Sequence, residues 1–234
     1  MCVAKFCYRF TVVVHRPILC LGIPEKDRTI TCNEHEFRIT PSLYYALQSL
    51  RLPGTVRLLW ADAICINQSD DKERAQQVKL MGSIYSNAQT TIAYLGEAGW
   101  NTDLVTLHGS KITQLSEHCK LEATQDVRLG DSVIQISGLA PKNSEAWLAL
   151  MDYFHLAWFQ RVWIVPEYGV SGCVMFVYGH QTYASPFPRD LLEVIMRFGL
   201  AWLLERGSKD SEESAISGMC WKMIRLLKQL RASE

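Results

Sequence analysis

Five side chains in this sequence combine the polarity and the setting that chemistry needs: Asp62, Asn67 and Gln68 in LWADAICINQ, and Trp163 and Glu167 in WFQRVWIVPE. Asp62 follows directly on a short apolar run, Leu58-Leu59-Trp60-Ala61, that reads as a strand. In open α/β sheets ligands bind beyond the carboxyl ends of the strands, so the three polar residues stand where a binding loop belongs. A second reading is open for Asp62 and Asn67, because short polar side chains in turns commonly bond their own backbone. Cys65, between Ile64 and Ile66, reads as a small buried hydrophobe; a nucleophilic role needs a neighbouring base that the sequence does not show. Trp163 and Glu167 are four apart and share a face on a continuous helix. Pro166 between them works against such a helix. If a helix begins near Pro166, Glu167 becomes a first-turn acid favoured by the helix dipole.

The surrounding elements follow from local pattern. Asp70 with Glu73 three residues on is a capping-box signature. The helix it opens carries Ala75, Val78, Met81, Ile84 and Tyr85 at helical spacing. Thr90 to Leu95 is a β-rich run closed by Gly96, so strand, helix and strand predict a parallel βαβ unit. Upstream, Phe10 to Val14 reads as a strand, and Thr29–Asn33 with Phe37–Thr40 as a β-hairpin. Thr40-Pro41 starts a helix whose stripe is Leu43, Ala46, Leu47 and Leu50, stopped by Pro53-Gly54. Downstream, 97–143 reads as a variable insertion holding one helix from Asp103 to about His118, with a strand signal at Ser132 to Ile136. A helix opening at Ser144 is expected to turn Trp147, Leu148, Met151 and Phe154 inward. Cys173 to Gly179 reads as a strand. Arg189 to Glu205 reads as one buried helix, and Ala215 to Leu230 as a last amphipathic one.

The blocks Asp62-Ala63-Ile64-Cys65-Ile66-Asn67-Gln68, Gln77-Val78-x-x-Met81, Ile84-Tyr85 and Tyr94-Leu95-Gly96 resemble the heterokaryon-incompatibility (HET) domain of filamentous fungi. Trp158-Phe159-Gln160-Arg161-Val162-Trp163-Ile164-Val165-Pro166-Glu167 resembles a second block of that family, with Pro166 where glutamine is usual. HET domains have been proposed as distant relatives of Toll/interleukin receptor (TIR) domains. The resemblance therefore implies an α/β fold: a TIR-like, flavodoxin-type, mainly parallel sheet flanked by helices, with a helical insertion and a helical C-terminal part. It implies a cytoplasmic effector of fungal non-self recognition that leads to regulated cell death. By the same resemblance Glu167 would be the catalytic carboxylate of NAD cleavage, NAD being substrate rather than cofactor. Trp163 would wall the site, and Asp62, Asn67 and Gln68 would bind the nucleotide. The other expectation for the family is a non-enzymatic module acting by self-association or by binding a receptor-type protein partner, or an inert shortened copy. The chain is expected to be a single HET domain over 1–234, with its core in 22–96 and 144–184 and incomplete at both ends. At the N-terminus Gly22-Ile23-Pro24 stands alone where an aromatic element is usual.

Composition bounds these readings. An apolar share of 48% with 21% charged residues is that of a globular chain. The 24 basic and 24 acidic residues cancel without a basic stripe, which argues against a nucleic-acid partner. The eight cysteines form no CxxC pair, so neither a zinc ribbon nor a redox motif is indicated, and reduced thiols are expected. Lys5, Arg9, His15 and Arg16 break the apolar N-terminus into runs too short for the apolar region of a signal peptide. No stretch reaches the roughly 20 apolar residues of a membrane span.

Overall fold

The computed structural model describes residues 12–14, 26–32, 34–54, 57–118, 138–160 and 168–204. The chain divides into two compact units, one of residues 1–97 and 161–184, the other of 98–160 and 185–234. The architecture is mixed α/β.

In the first unit the elements are β1 (Val12–Val14), β2 (Arg28–Cys32), β3 (His35–Ile39), α1 (Pro41–Ser49), β4 (Leu59–Trp60), α2 (Asp62–Cys65), α3 (Asp71–Asn87), β5 (Thr91–Gly96), β6 (Val174–Tyr178) and β7 (Gln181–Ala184). Among the described residues five strands form one sheet in the order β4-β1-β5-β6-β7. β1 runs parallel to β4 and to β5, β5 parallel to β6, and β6 antiparallel to β7. β4 and β5 are thus parallel, as expected of the strand-helix-strand unit, but β1 lies between them. Of the expected strand at Phe10 to Val14, Val12–Val14 falls within the described residues. β7 has no clear signal in the sequence; it folds back after Gly179-His180, with Tyr178 opposite Gln181.

The predicted hairpin forms as β2-β3, with Cys32 opposite His35. Thr40 caps α1, its hydroxyl accepting the Leu43 N–H at 3.4 Å, and Pro41 takes the first turn. Alternation along β4 sends neighbouring side chains to opposite faces of the sheet. Leu59 packs with Ile39, Leu43, Ala46, Ile92 and Tyr94, on the α1 side. Trp60 packs with Ile66, Tyr85 and Ala88, on the α3 side, its ring edge-on to Tyr85 at 6.4 Å. The stripe expected along α3 buries only Tyr85; Met81 and Ile84 are half-buried, and Ala75 and Val78 are exposed.

The second unit contains α4 (Thr102–His118), α5 (Glu145–Phe154), a 3-10 turn at Ala157–Gln160, α6 (Pro186–Arg197) and a second 3-10 turn at Ala201–Leu204. α4 packs against both α5 and α6. Its buried residues Val105, His108 and Ile112 recur at helical spacing. On α5, Trp147, Met151 and Phe154 are buried as expected, but Leu148 is 39% exposed and Leu150 takes the inward place. The helix expected over Arg189 to Glu205 is two elements. α6 starts earlier, at Pro186, and ends in a Schellman cap: Leu200 N–H donates to the Ile195 carbonyl at 2.8 Å and Gly199 N–H to Met196 at 3.2 Å. Gly199 supplies the left-handed φ of 63° that this cap requires. The strand signal at Ser132 to Ile136 and the helix expected at Ala215 to Leu230 lie outside the described residues. Among the described residues no helix is long and apolar enough to cross a membrane.

Candidate functional site

The polar segment sits at the carboxyl end of β4, beside the matching end of β1, whose Val13 pairs with Trp60. It is not all loop. Asp62 begins a one-turn helix, α2, as the N–H groups of Ile64 and Cys65 turn back to the Ala61 carbonyl at 3.0 and 2.8 Å. The Asp62 carboxylate accepts the Ala63 N–H at 2.7 Å. Gln68 then folds back, its side-chain amide donating to the Asp62 carbonyl at 3.0 Å. Asn67 Oδ1 accepts the Ser69 N–H at 3.1 Å, an Asx turn that reverses the chain toward α3. Asp70 caps α3 by accepting from Lys72 and Glu73 N–H at 2.9 and 3.2 Å.

Asp62, Asn67 and Gln68 are therefore brought together, and each uses one polar group on backbone of the same segment. Asn67 and Gln68 are exposed and Asp62 is half-buried. What remains on offer is mixed: a carboxylate oxygen on Asp62, an amide donor on Asn67 and an amide acceptor on Gln68, on a bonded frame. Such a set suits a ligand rich in hydroxyls. Cys65 is half-buried and packs against the Trp60 and Tyr85 cluster, as a small apolar side chain does. Trp163 and Glu167 lie outside the described residues. Just beyond them, Tyr168 lies against Phe176 with ring centroids 6.2 Å apart, and the Thr91 and Ser171 hydroxyls meet at 2.8 Å.

Two further residues have roles that their sequence motifs do not reveal. Glu73 is recognisable as a capping-box acid, but its carboxylate accepts the Asn67 N–H at 3.2 Å and so ties the helix to the polar segment. Tyr94, two residues before the closing Gly96, is buried in the α1-side core. Burial, then the nearby Glu97 carboxylate and Tyr45, push its phenol up to about 12, so it stays a neutral hydroxyl at physiological pH. Its only signal in the sequence is its place in Tyr94-Leu95-Gly96. Among the described residues no group of three His, Cys, Asp or Glu side chains could hold a metal ion.

The sequence is similar to those of known proteins. A family model described as "Heterokaryon incompatibility protein (HET)" matches residues 18–167, a span that runs from before β2 through the polar segment to Glu167. Over 208 residues the chain is 26% identical to heterokaryon incompatibility protein 6, OR allele, of Neurospora crassa; the alignment covers 81% of this chain and 29% of that protein. The chain thus spans less than a third of the length of that curated relative. No solved structure matches it. With the family model covering well over half of its residues, the chain belongs to the heterokaryon incompatibility (HET) family.

Proposed function

We propose that the protein is a cytoplasmic HET-domain effector of fungal non-self recognition, and that it promotes regulated cell death by TIR-like cleavage of NAD. The observation that carries the enzymatic part is the polar segment at the carboxyl ends of adjacent parallel strands. Counted along the sheet alone, the five strands follow the order 2-1-3-4-5. The flavodoxin-type order is the same, although here the fifth strand is antiparallel, and the likeness supports a ligand site where the strand order reverses, next to the first strand. Asp62, Asn67 and Gln68 follow the second strand at that end and supply the acceptors and donor a ribose needs. Glu167, with Trp163 as an apolar wall, would stabilise the positive charge that develops on the ribose as the bond to nicotinamide breaks. The bonding pair leaves with the nicotinamide nitrogen, water adds to the ribose carbon, and the water's proton is released.

A second reading draws on the same geometry. Asp62, Asn67 and Gln68 all bond their own segment, which is what a structural loop in a non-enzymatic, partner-binding module would show. Nicotinamide release from NAD, measured with the purified chain beside Glu167→Ala and with thermal unfolding recorded for both, separates the two. Turnover that Glu167→Ala abolishes while the fold persists supports the enzyme. Absence of turnover from folded wild type transfers the function to interaction.

A further inference from the structure

We infer that β2 is a self-pairing edge through which two copies of this chain join, extending the β2-β3 hairpin of each into one four-stranded antiparallel sheet. The inference deepens the self-association expected under the non-enzymatic reading, and it is tested without NAD.

A two-stranded hairpin is marginal by itself and gains from added strands. β2 pairs with β3 on one side and with no other strand among the described residues. Since Cys32 and His35 close the hairpin across a two-residue turn, Cys32, Ile30 and Arg28 exchange their backbone bonds with β3. The N–H and C=O groups of Thr29 and Thr31 then point away from β3, and both residues are exposed.

The edges differ in how well they are guarded. β3 carries His35, Glu36 and Arg38, β4 has two residues, and β7 runs into Pro186, all devices that discourage strand addition. From Thr29 to Cys32 β2 has no charge and no proline, and it is rich in β-branched residues.

The edge is also complementary to itself. In the antiparallel register that places Ile30 opposite Ile30 of a second copy, Thr29 of each chain faces Thr31 of the other. The outward backbone groups of both threonines then pair, and the Thr-Thr contact is a favourable cross-strand one. Arg28 lies opposite a cysteine rather than a cation. Extending the same register brings Lys26 toward Glu34 of the other copy, opposite charges on each side of the two-fold axis. The contact is isologous, so it closes at a dimer instead of growing into a fibre.

Sedimentation velocity of the full chain over a wide concentration range is the test, with Thr31→Pro beside wild type. The substitution removes an N–H that faces away from β3, so it spares the hairpin. Wild type should form a reversible dimer that Thr31→Pro loses at an unchanged unfolding midpoint. A strictly monomeric wild type, or a dimer that persists in folded Thr31→Pro, overturns the proposal. Should Thr31→Pro unfold, a short thiol cross-linker applied to mixed Thr29→Cys and Thr31→Cys chains decides. Cross-linking in the mixture above that of either variant alone supports the register, and equal cross-linking in all three refutes it. Nicotinamide release is read separately, so loss of the dimer and failure of the enzymatic reading remain distinguishable.

Discussion

Glu73 of α3 accepts the backbone N–H of Asn67 at 3.2 Å, while the N–H of its own cap residue, Asp70, goes to the Asn67 carbonyl at 3.1 Å. The capping box is displaced by three residues, and both backbone groups of Asn67 are held by the start of the helix. Segment and helix are one hydrogen-bonded piece, so the helix sets the orientation of the polar side chains.

Removing that tie by Glu73→Ala should lower stability by about 1 kcal/mol, the net worth of one hydrogen bond. Glu73→Gln keeps an acceptor and should recover most of the loss. Urea denaturation reads the first effect, and faster amide exchange at Asn67 in Glu73→Ala alone reads the second.

Gly96 ends β5 at a φ of 137° and passes its carbonyl to Gly179 N–H at 2.8 Å. Its chain neighbours aside, no atom of the described residues lies within 4 Å of where a Cβ would stand, so Gly96→Ala meets backbone strain and no clash among them. The expected cost is about 1–3 kcal/mol. Gly82→Ala, in the exposed middle of α3 with equally open space, should instead stabilise by up to about 1 kcal/mol. Thermal melts of the two variants should shift in opposite directions.

Gly109 behaves differently. On α4 an added Cβ would stand 2.7 Å from the ring tip of Phe187 and 3.4 Å from Leu191. The helix propensity gained with alanine, about 1 kcal/mol, is set against overpacking of about 1–3 kcal/mol. Because Phe187 is a stiff ring at the start of α6, the clash should prevail and Gly109→Ala should destabilise. The double variant Gly109→Ala with Phe187→Ala should recover the part due to the clash, as a denaturant double-mutant cycle would show.

His108 packs edge-on against Trp147 with ring centroids 4.6 Å apart, 4% exposed, and its Nε2 has no hydrogen-bond partner among the described residues. Burial, with a smaller push from Lys111, brings its pKa down from 6.5 to about 4. The unfolded chain therefore takes up this proton first as pH falls. The stability linked to the neutral ring is complete above about pH 6.5, erodes below it and is lost near pH 4, up to about 3 kcal/mol in all. Unfolding midpoints at pH 7 and pH 5 should differ in wild type, and the difference should shrink in His108→Phe, which keeps a ring against Trp147.

Local chemistry was legible in the sequence alone. Caps at Thr40 and Asp70, the β2-β3 hairpin and the span of α4 depend on partners a few residues away, and they formed where residue types required. So did the membership of Asp62, Asn67 and Gln68 in one polar segment at a strand end, and the family to which the chain belongs. Tertiary structure alone decided the rest. β1 enters between β4 and β5 because pairing across tens of residues depends on which faces bury best, a choice no local window contains. Leu148 turns outward and Leu150 inward because α5 packs against α4. The apolar run after Arg189 breaks at Gly199, where a left-handed cap turns the chain, although its hydrophobic period continues. Glu73 binds Asn67 rather than Asp70 because the Asp70 N–H is taken by the Asn67 carbonyl, which leaves the Asn67 N–H for the Glu73 carboxylate.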